Sequence, residues 1–431
     1  MQILDFFINQ IFKTPAYFMG IIVLFGCLLR KMDAKSILVS VIKTIVGMMI
    51  LGIGSGQLKA ASESIIKIFT LAVGIKGVGT DMWAATSEAL TILEKGNIAN
   101  IGLILISAWL VNLLLAKFTP IKTIYLTGHV AYTDTVALTF LLYATTGLRG
   151  TGLFVTAVLV CGVYWWFFPY LLRKFLNPLL GDTPITLGHN LCFSGIITTQ
   201  LARLFGKPED SAESLNLPGW LSVFKDSVIS YSIIMGSICI IIIIIAGPAI
   251  VNTFSGTTNY ILYGLNLGLS MAVGVYVLLS GVRMFLNELL PSFKGISDRL
   301  VPGAIAAVDS PIFWSYAPTA ALLGFIVTVV GQFTGVAILF LVGSPIIAIP
   351  SVIPLFFGGS TLGVFANAWG GWKGVIGATF IMGIVTICGS AALAHVANVQ
   401  IAIWGHSDWS TLWLGVFSIL KMFFTFLSSA V

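Results

Sequence analysis

Apolar residues in this chain neither alternate nor keep to one helical face. They run in blocks of membrane length, with polar residues gathered in the gaps between blocks. Val228 to Ala246, with six consecutive isoleucines from Ile240 to Ile245, is too long for a soluble strand and too apolar for a core helix, so it must cross a bilayer. Similar blocks predict a first span after Pro15 that ends at Leu29, and others near 37–53, 98–115, 152–172, 228–251, 260–279 and 412–427. The alternation of barrel strands is absent, so these spans are helices. Two stretches depart from the pattern. Lys59, Glu63 and Lys67 lie four residues apart, predicting an amphipathic helix from Gln57 to Val73 after a stop at Gly54-Ser55-Gly56. A counterpart in the later half carries Arg283, Glu288, Lys294, Asp298 and Arg299.

Polar clusters at membrane depth change the picture most. From Ile124 to Thr135 the chain strings together His129, Tyr132, Asp134 and three threonines. A lipid-facing helix would carry these only at heavy desolvation cost. Such residues can be a satisfied interior helix or a substrate or ion site. Recurrence of the pattern at Gly188-His189-Asn190 and Val308-Asp309-Ser310 favours the site. The segment 177–200, broken by prolines and glycines with His189 at its centre, reads as a re-entrant hairpin buried in protein. Two spans, an amphipathic piece and then an aspartate occur in both halves, ending at Asp81 in the first and Asp309 in the second. That order predicts an internal duplication, with Trp404-Gly405-His406-Ser407-Asp408-Trp409 answering Gly188-His189. An odd number of spans per copy inverts the second copy and brings His129, His189 and Asp309 together near the midplane.

Composition agrees with this class: 431 residues, 58% hydrophobic and 9% charged, with a mean hydropathy of +1.02. The net charge of +6 sits in short loops, as orientation signal and lipid contact; no basic domain exists to hold nucleic acid. Arg30, Lys31 and Lys35 place the first loop in the cytoplasm and the N-terminus outside. The start lacks a basic region and a cleavage site, so the first span is expected to be retained. Cys27, Cys161, Cys192, Cys239 and Cys388 stand singly, as small buried hydrophobes with no metal spacing. No phosphate loop, HExxH or GxSxG motif occurs, and no nucleophile and base pair suggests an enzyme. Phe357-Gly358-Gly359-Ser360-Thr361-Leu362-Gly363 reads as helix packing. A proton-coupled symporter of a small polyhydroxylated solute also fits these residues, with Asp134, Asp309 or Glu88 as relay.

The segments Leu126-Thr127-Gly128-His129, Leu217-Pro218-Gly219-Trp220-Leu221, Gly281-Val282-Arg283-Met284-Phe285, Gly295 to Ala304 and Gly363-Val364-Phe365-Ala366-Asn367 closely resemble the IIC membrane component of the ascorbate branch of the bacterial phosphotransferase system. The resemblance covers nearly the whole chain. It implies an all-α polytopic protein of the bacterial inner membrane with about eleven transmembrane helices, an inverted repeat, re-entrant hairpins and interfacial amphipathic helices. It also implies a homodimer in which a mobile core moves as an elevator against a static scaffold. L-ascorbate or a related sugar, sugar acid or alditol would be carried inward and phosphorylated by a cytosolic IIB protein. No cofactor, metal or catalytic residue of this chain is implied. In this scheme residues 1–56 and 227–282 are scaffold, 57–205 and 283–410 are core, 206–226 is a linker and 411–431 is a terminal span. The substrate contacts carried over are Met82, Trp83, His129, Val130, Ala131, Tyr132, Thr133, His189, Asn190 and Asp309. Family members commonly have Gln where Thr133 and Asn190 stand and Tyr where Trp83 stands, which implies a roomier pocket here, or polar groups farther from the ligand.

Overall fold

The computed structural model describes residues 14–74, 77–95, 98–215, 227–399 and 402–429. Helix α1 (Pro15–Leu29) starts on a proline, whose missing N–H costs nothing at that position. Helix α2 (Ala34–Val73) is capped by the Asp33 side chain, which accepts from the Ser36 N–H at 3.0 Å. The expected stop at Gly54-Ser55-Gly56 does not occur. The span and the amphipathic piece form one helix of 40 residues, because Gly54 supplies contact rather than a turn: a Cβ there would lie 2.4 Å from the Leu278 nitrogen. After strand β1 (Gly77–Gly79) come α3 (Met82–Lys95), α4 (Ile101–Phe118), β2 (Thr123–Tyr125), α5 (Gly128–Thr146), α6 (Gly150–Arg173), the short α7 (Asn177–Leu180), β3 (Ile185–Leu187) and α8 (Cys192–Phe205).

The later half follows the same order: α9 (Ser227–Ser255), α10 (Tyr260–Arg299), β4 (Ile305–Val308), the short α11 (Pro311–Trp314), α12 (Pro318–Leu341), β5 (Ile347–Ile349) and α13 (Val352–Ala397), then α14 (Leu414–Ser429) after a π turn at Trp409–Trp413. Helix α10 is also 40 residues long. Non-helical dihedrals at Gly371 divide α13 into two segments that correspond in order to α5 and α6. Among the described residues eight helices are long and apolar enough to cross a membrane. The expected eleven are not reached by this measure, because α1 has only 15 residues, α5 is too polar, and α13 joins two segments. The protein is nonetheless all-α and polytopic.

Five short strands, absent from the sequence reading, hold the polar breaks together. The centre strand of each sheet comes from one half and its neighbours from the other. Strand β4 lies between β2 and β3, all parallel, and β1 pairs with β5 and bridges to Ala402. Extended backbone at membrane depth would otherwise leave N–H and C=O groups unpaired, and pairing across the halves removes that cost. Outside the sheets, α2 and α10 cross along much of their length, with Lys43 3.3 Å from Glu288 and the Ser40 hydroxyl donating to Glu288 at 2.7 Å. The glycines of 357–363 do serve packing: Gly363 sits so close to Gly324 of α12 that a Cβ on either would overlap the other's backbone. Asn367 accepts from the Ala212 N–H at 2.8 Å and donates to the Ser211 hydroxyl, tying down the described part of the linker. Residues 216–226 of that linker, including Leu217 to Trp220, lie outside the described residues.

Candidate functional site

Parallel strands align their carboxyl ends, and here that alignment gathers the sequence's polar breaks. Leu126 N–H bonds the Ala307 carbonyl at 2.9 Å, and Gly188 N–H bonds the Val308 carbonyl at 2.7 Å. His129, one residue into α5, His189 after β3 and Asp309 after β4 therefore emerge from one end of one sheet. His129 Nε2 lies 3.6 Å from Asp309 Oδ2, while Asp309 Oδ1 accepts from the Ser310 N–H at 2.7 Å. Only glycine fits at Gly188, where a Cβ would stand 2.6 Å from the Ala307 carbonyl oxygen. The second sheet repeats the device. Gly405 sits over Thr80, with a Cβ position 2.4 Å from its carbonyl oxygen, and the Ser351 hydroxyl donates to Asp81 at 2.9 Å.

The two sheet ends meet at a cavity of about 10 Å³, roughly the room one water molecule needs. Met82, His129 and His189 line it, as the family pattern implies. His406, Ile353 and Phe357 also line it, together with Leu51 of α2 and Leu278 of α10. The internal repeat pairs the His406 break with that of His189, although the contacts carried over from the family pattern do not include His406. Leu51 and Leu278 had no signal, since a leucine in an apolar span looks like any other. The His189 ring stacks on Phe357 at 6.0 Å and meets the His406 ring edge-on at 4.5 Å. His129 Nδ1, His189 Nδ1, both His406 nitrogens and Asp309 Oδ2 are buried without a hydrogen-bond partner. Unpaired buried groups of this kind cost about 1–3 kcal/mol each, so hydrogen-bonding capacity is left over here for water or a polar solute to use.

Of the other expected contacts, Val130, Ala131, Tyr132, Thr133, Asn190 and Asp309 are not among the residues that line the cavity. Val130 and Ala131 are buried in the first turn of α5. The Thr133 hydroxyl donates to the Val130 carbonyl at 3.0 Å and lies 3.6 Å from Met82 Sδ. Asn190 Oδ1 lies 3.5 Å from the Tyr164 hydroxyl, whose proton goes to Asp408 at 2.8 Å, its Nδ2 is buried without a hydrogen-bond partner, and its carbonyl accepts from the Asp408 N–H at 3.1 Å. Tyr132 is half-buried, and the side chain of Trp83 is outside those described. Asp408 anchors the whole corner. Its Oδ2 accepts from Tyr164, Cys192 N–H and Phe193 N–H, and its Oδ1 from the N–H and hydroxyl of Ser194, at 2.7–3.1 Å. It thereby caps α8 and ties the turn carrying His406 to the one carrying His189.

Two of the three carboxylates considered as proton relays have structural partners. Asp134 Oδ2 accepts from the Trp165 indole at 3.0 Å, and Glu88 accepts from the Ala402 N–H at 3.1 Å. Among the described residues no group of three or more His, Cys, Asp and Glu side chains could hold a metal ion. The five cysteines are unpaired and all but Cys388 are fully buried.

Comparison with known proteins gives two matches. The profile of one family, described as PTS system sugar-specific permease component, matches residues 10–413. A curated relative, the ascorbate-specific PTS system EIIC component of Mycoplasma pneumoniae, is 29% identical over 443 aligned positions, covering 91% of this chain and 67% of that protein.

Proposed function

Because the chain belongs to the family of PTS system sugar-specific permease components, and is thus a multi-pass permease of the cell inner membrane rather than an enzyme, we propose that it carries L-ascorbate or a closely related sugar acid. The observation that carries this reading is the convergence of His129 and His189 on one cavity, with Asp309 Oδ2 3.6 Å from His129 Nε2. A neutral imidazole donates at one nitrogen and accepts at the other, and a carboxylate accepts twice, which matches a ligand dense in hydroxyls. The name of the Mycoplasma pneumoniae relative supports ascorbate.

Phosphorylation requires no nucleophile from this chain. A separate IIB protein brings the phosphoryl group, and the permease contributes orientation and exposure of one substrate hydroxyl to the cytoplasm. A sugar acid does not fit a cavity of about 10 Å³, so Leu51 and Leu278 must part from the histidines to admit it. Movement of the sheet-bearing core along the α2–α10 crossing, as an elevator within a homodimer, would accomplish this and expose the site to each side in turn.

The test is uptake of labelled L-ascorbate by vesicles containing the protein, with phosphorylated IIB inside. Accumulation of ascorbate phosphate that requires IIB, and falls at least about tenfold with Asp309→Asn, is expected. Uptake driven by a proton gradient without IIB would replace this reading with the symporter.

A further inference from the structure

His406 is left without a role by the contacts that the family pattern supplies. It is 1% exposed, lines the cavity, and has no hydrogen-bond partner at either ring nitrogen. Its backbone is held firmly. Ile403 N–H bonds the Gly79 carbonyl at 2.9 Å, the Ser407 hydroxyl pairs with that of Thr386 at 2.9 Å, and Asp408 is the clamp described above. An imidazole fixed in this way, with both nitrogens unpaired, is organised for a guest before the guest arrives.

The positions that depart from the family pattern explain why a further contact is needed. Longer amides at 133 and 190 could reach a ligand, but the Thr133 hydroxyl is turned to the Val130 carbonyl, and Asn190, one methylene shorter than Gln, has a buried side-chain nitrogen without a hydrogen-bond partner and its main-chain carbonyl on the Asp408 N–H. His406 meets His189 edge-on at 73°, so the two rings present polar edges in different directions around one small space. We propose that His406 is a specificity-determining substrate contact, which together with His189 binds neighbouring hydroxyls of a compact sugar acid and makes up for the reach that Thr133 and Asn190, shorter than the Gln of the family pattern, lack. This rests on the reading of the cavity as the substrate site.

The experiment is calorimetric titration of the purified full-length protein in detergent with L-ascorbate, comparing His406→Phe, His406→Gln, His189→Phe and the exposed-site control His395→Phe. His406→Phe keeps an aromatic ring and removes both nitrogens, and is expected to weaken L-ascorbate at least about tenfold, from one or two lost hydrogen bonds. His406→Gln, which keeps a donor and an acceptor, should lose less, and His395→Phe should match the parent. If His406→Phe does not yield monodisperse protein, His406→Leu, which removes both nitrogens in a smaller side chain, decides: reduced affinity at an unchanged melting temperature supports the proposal, and parental affinity overturns it. Parental affinity in His406→Phe with loss in His189→Phe overturns the role of His406 and leaves the cavity as the substrate site. Parental affinity in both overturns the cavity reading as well.

Discussion

Asp408→Asn isolates the buried clamp under the two facing histidines. The carboxylate accepts five hydrogen bonds, and an amide can accept on one side only. In its better orientation the NH₂ group faces Ser194, whose hydroxyl can rotate to accept but whose main-chain N–H is left unpaired. One such orphan costs about 1–3 kcal/mol. The three bonds on the other side persist but lose charge assistance, roughly half their strength. Burying a neutral amide is cheaper than burying a carboxylate and offsets part of this, leaving a net loss of about 2–4 kcal/mol. The melting temperature in detergent, followed by tryptophan fluorescence, should then drop by roughly 2–4 °C for a chain of 431 residues. Hydrogen exchange at the amides of 192–194 should accelerate, because these are the N–H groups the carboxylate caps. L-ascorbate affinity should fall too, since the Asp408 N–H to Asn190 carbonyl bond that aligns the two turns shares the clamp. A variant melting within about 1 °C of the parent, with the 192–194 amides still protected, would show that the Asp408 carboxylate does not hold this corner together.

Gly188→Ala should abolish binding or folding, because its Cβ would stand 2.6 Å from a main-chain oxygen of β4 and strand pairing would have to yield; unchanged ligand affinity in a stable Gly188→Ala protein would contradict the assigned geometry. Thr133→Gln places a longer side chain against buried Met82, so it should cost about 1–3 kcal/mol of stability by overpacking and weaken L-ascorbate binding; tighter binding measured by calorimetry would mean that the amide reaches the ligand after all. A cysteine at Lys31, in a background lacking the native cysteines, should resist a membrane-impermeant thiol reagent on intact cells and react after permeabilisation, because the cations of this loop predict a cytoplasmic position; labelling from outside would invert the topology. The complementary position, Lys13, lies outside the described residues.

The apolar blocks alone determined that the chain is a helical membrane protein, because a bilayer leaves no other way to satisfy so much backbone. Polar residues within those blocks marked His129, His189 and Asp309, since their desolvation cost makes them stand out from any lipid-facing pattern. The repeated order of segments placed Gly405-His406 opposite Gly188-His189. What the sequence did not carry was contact. Three-residue strands are too short to show a period, and they exist only because each is paired by the other half of the chain. Helix α2 runs straight through Gly54-Ser55-Gly56, where a local reading sees a stop, because α10 packs against that glycine. Nothing local to Asn190 says that its carbonyl accepts from the N–H of Asp408, a residue more than two hundred positions away. Leu51 and Leu278 become part of the cavity wall solely through the helix crossing that brings them there. Period and polarity are local and are written in one dimension, whereas pairing, clamping and closure depend on which distant segment lies alongside, and the packed chain alone decides that.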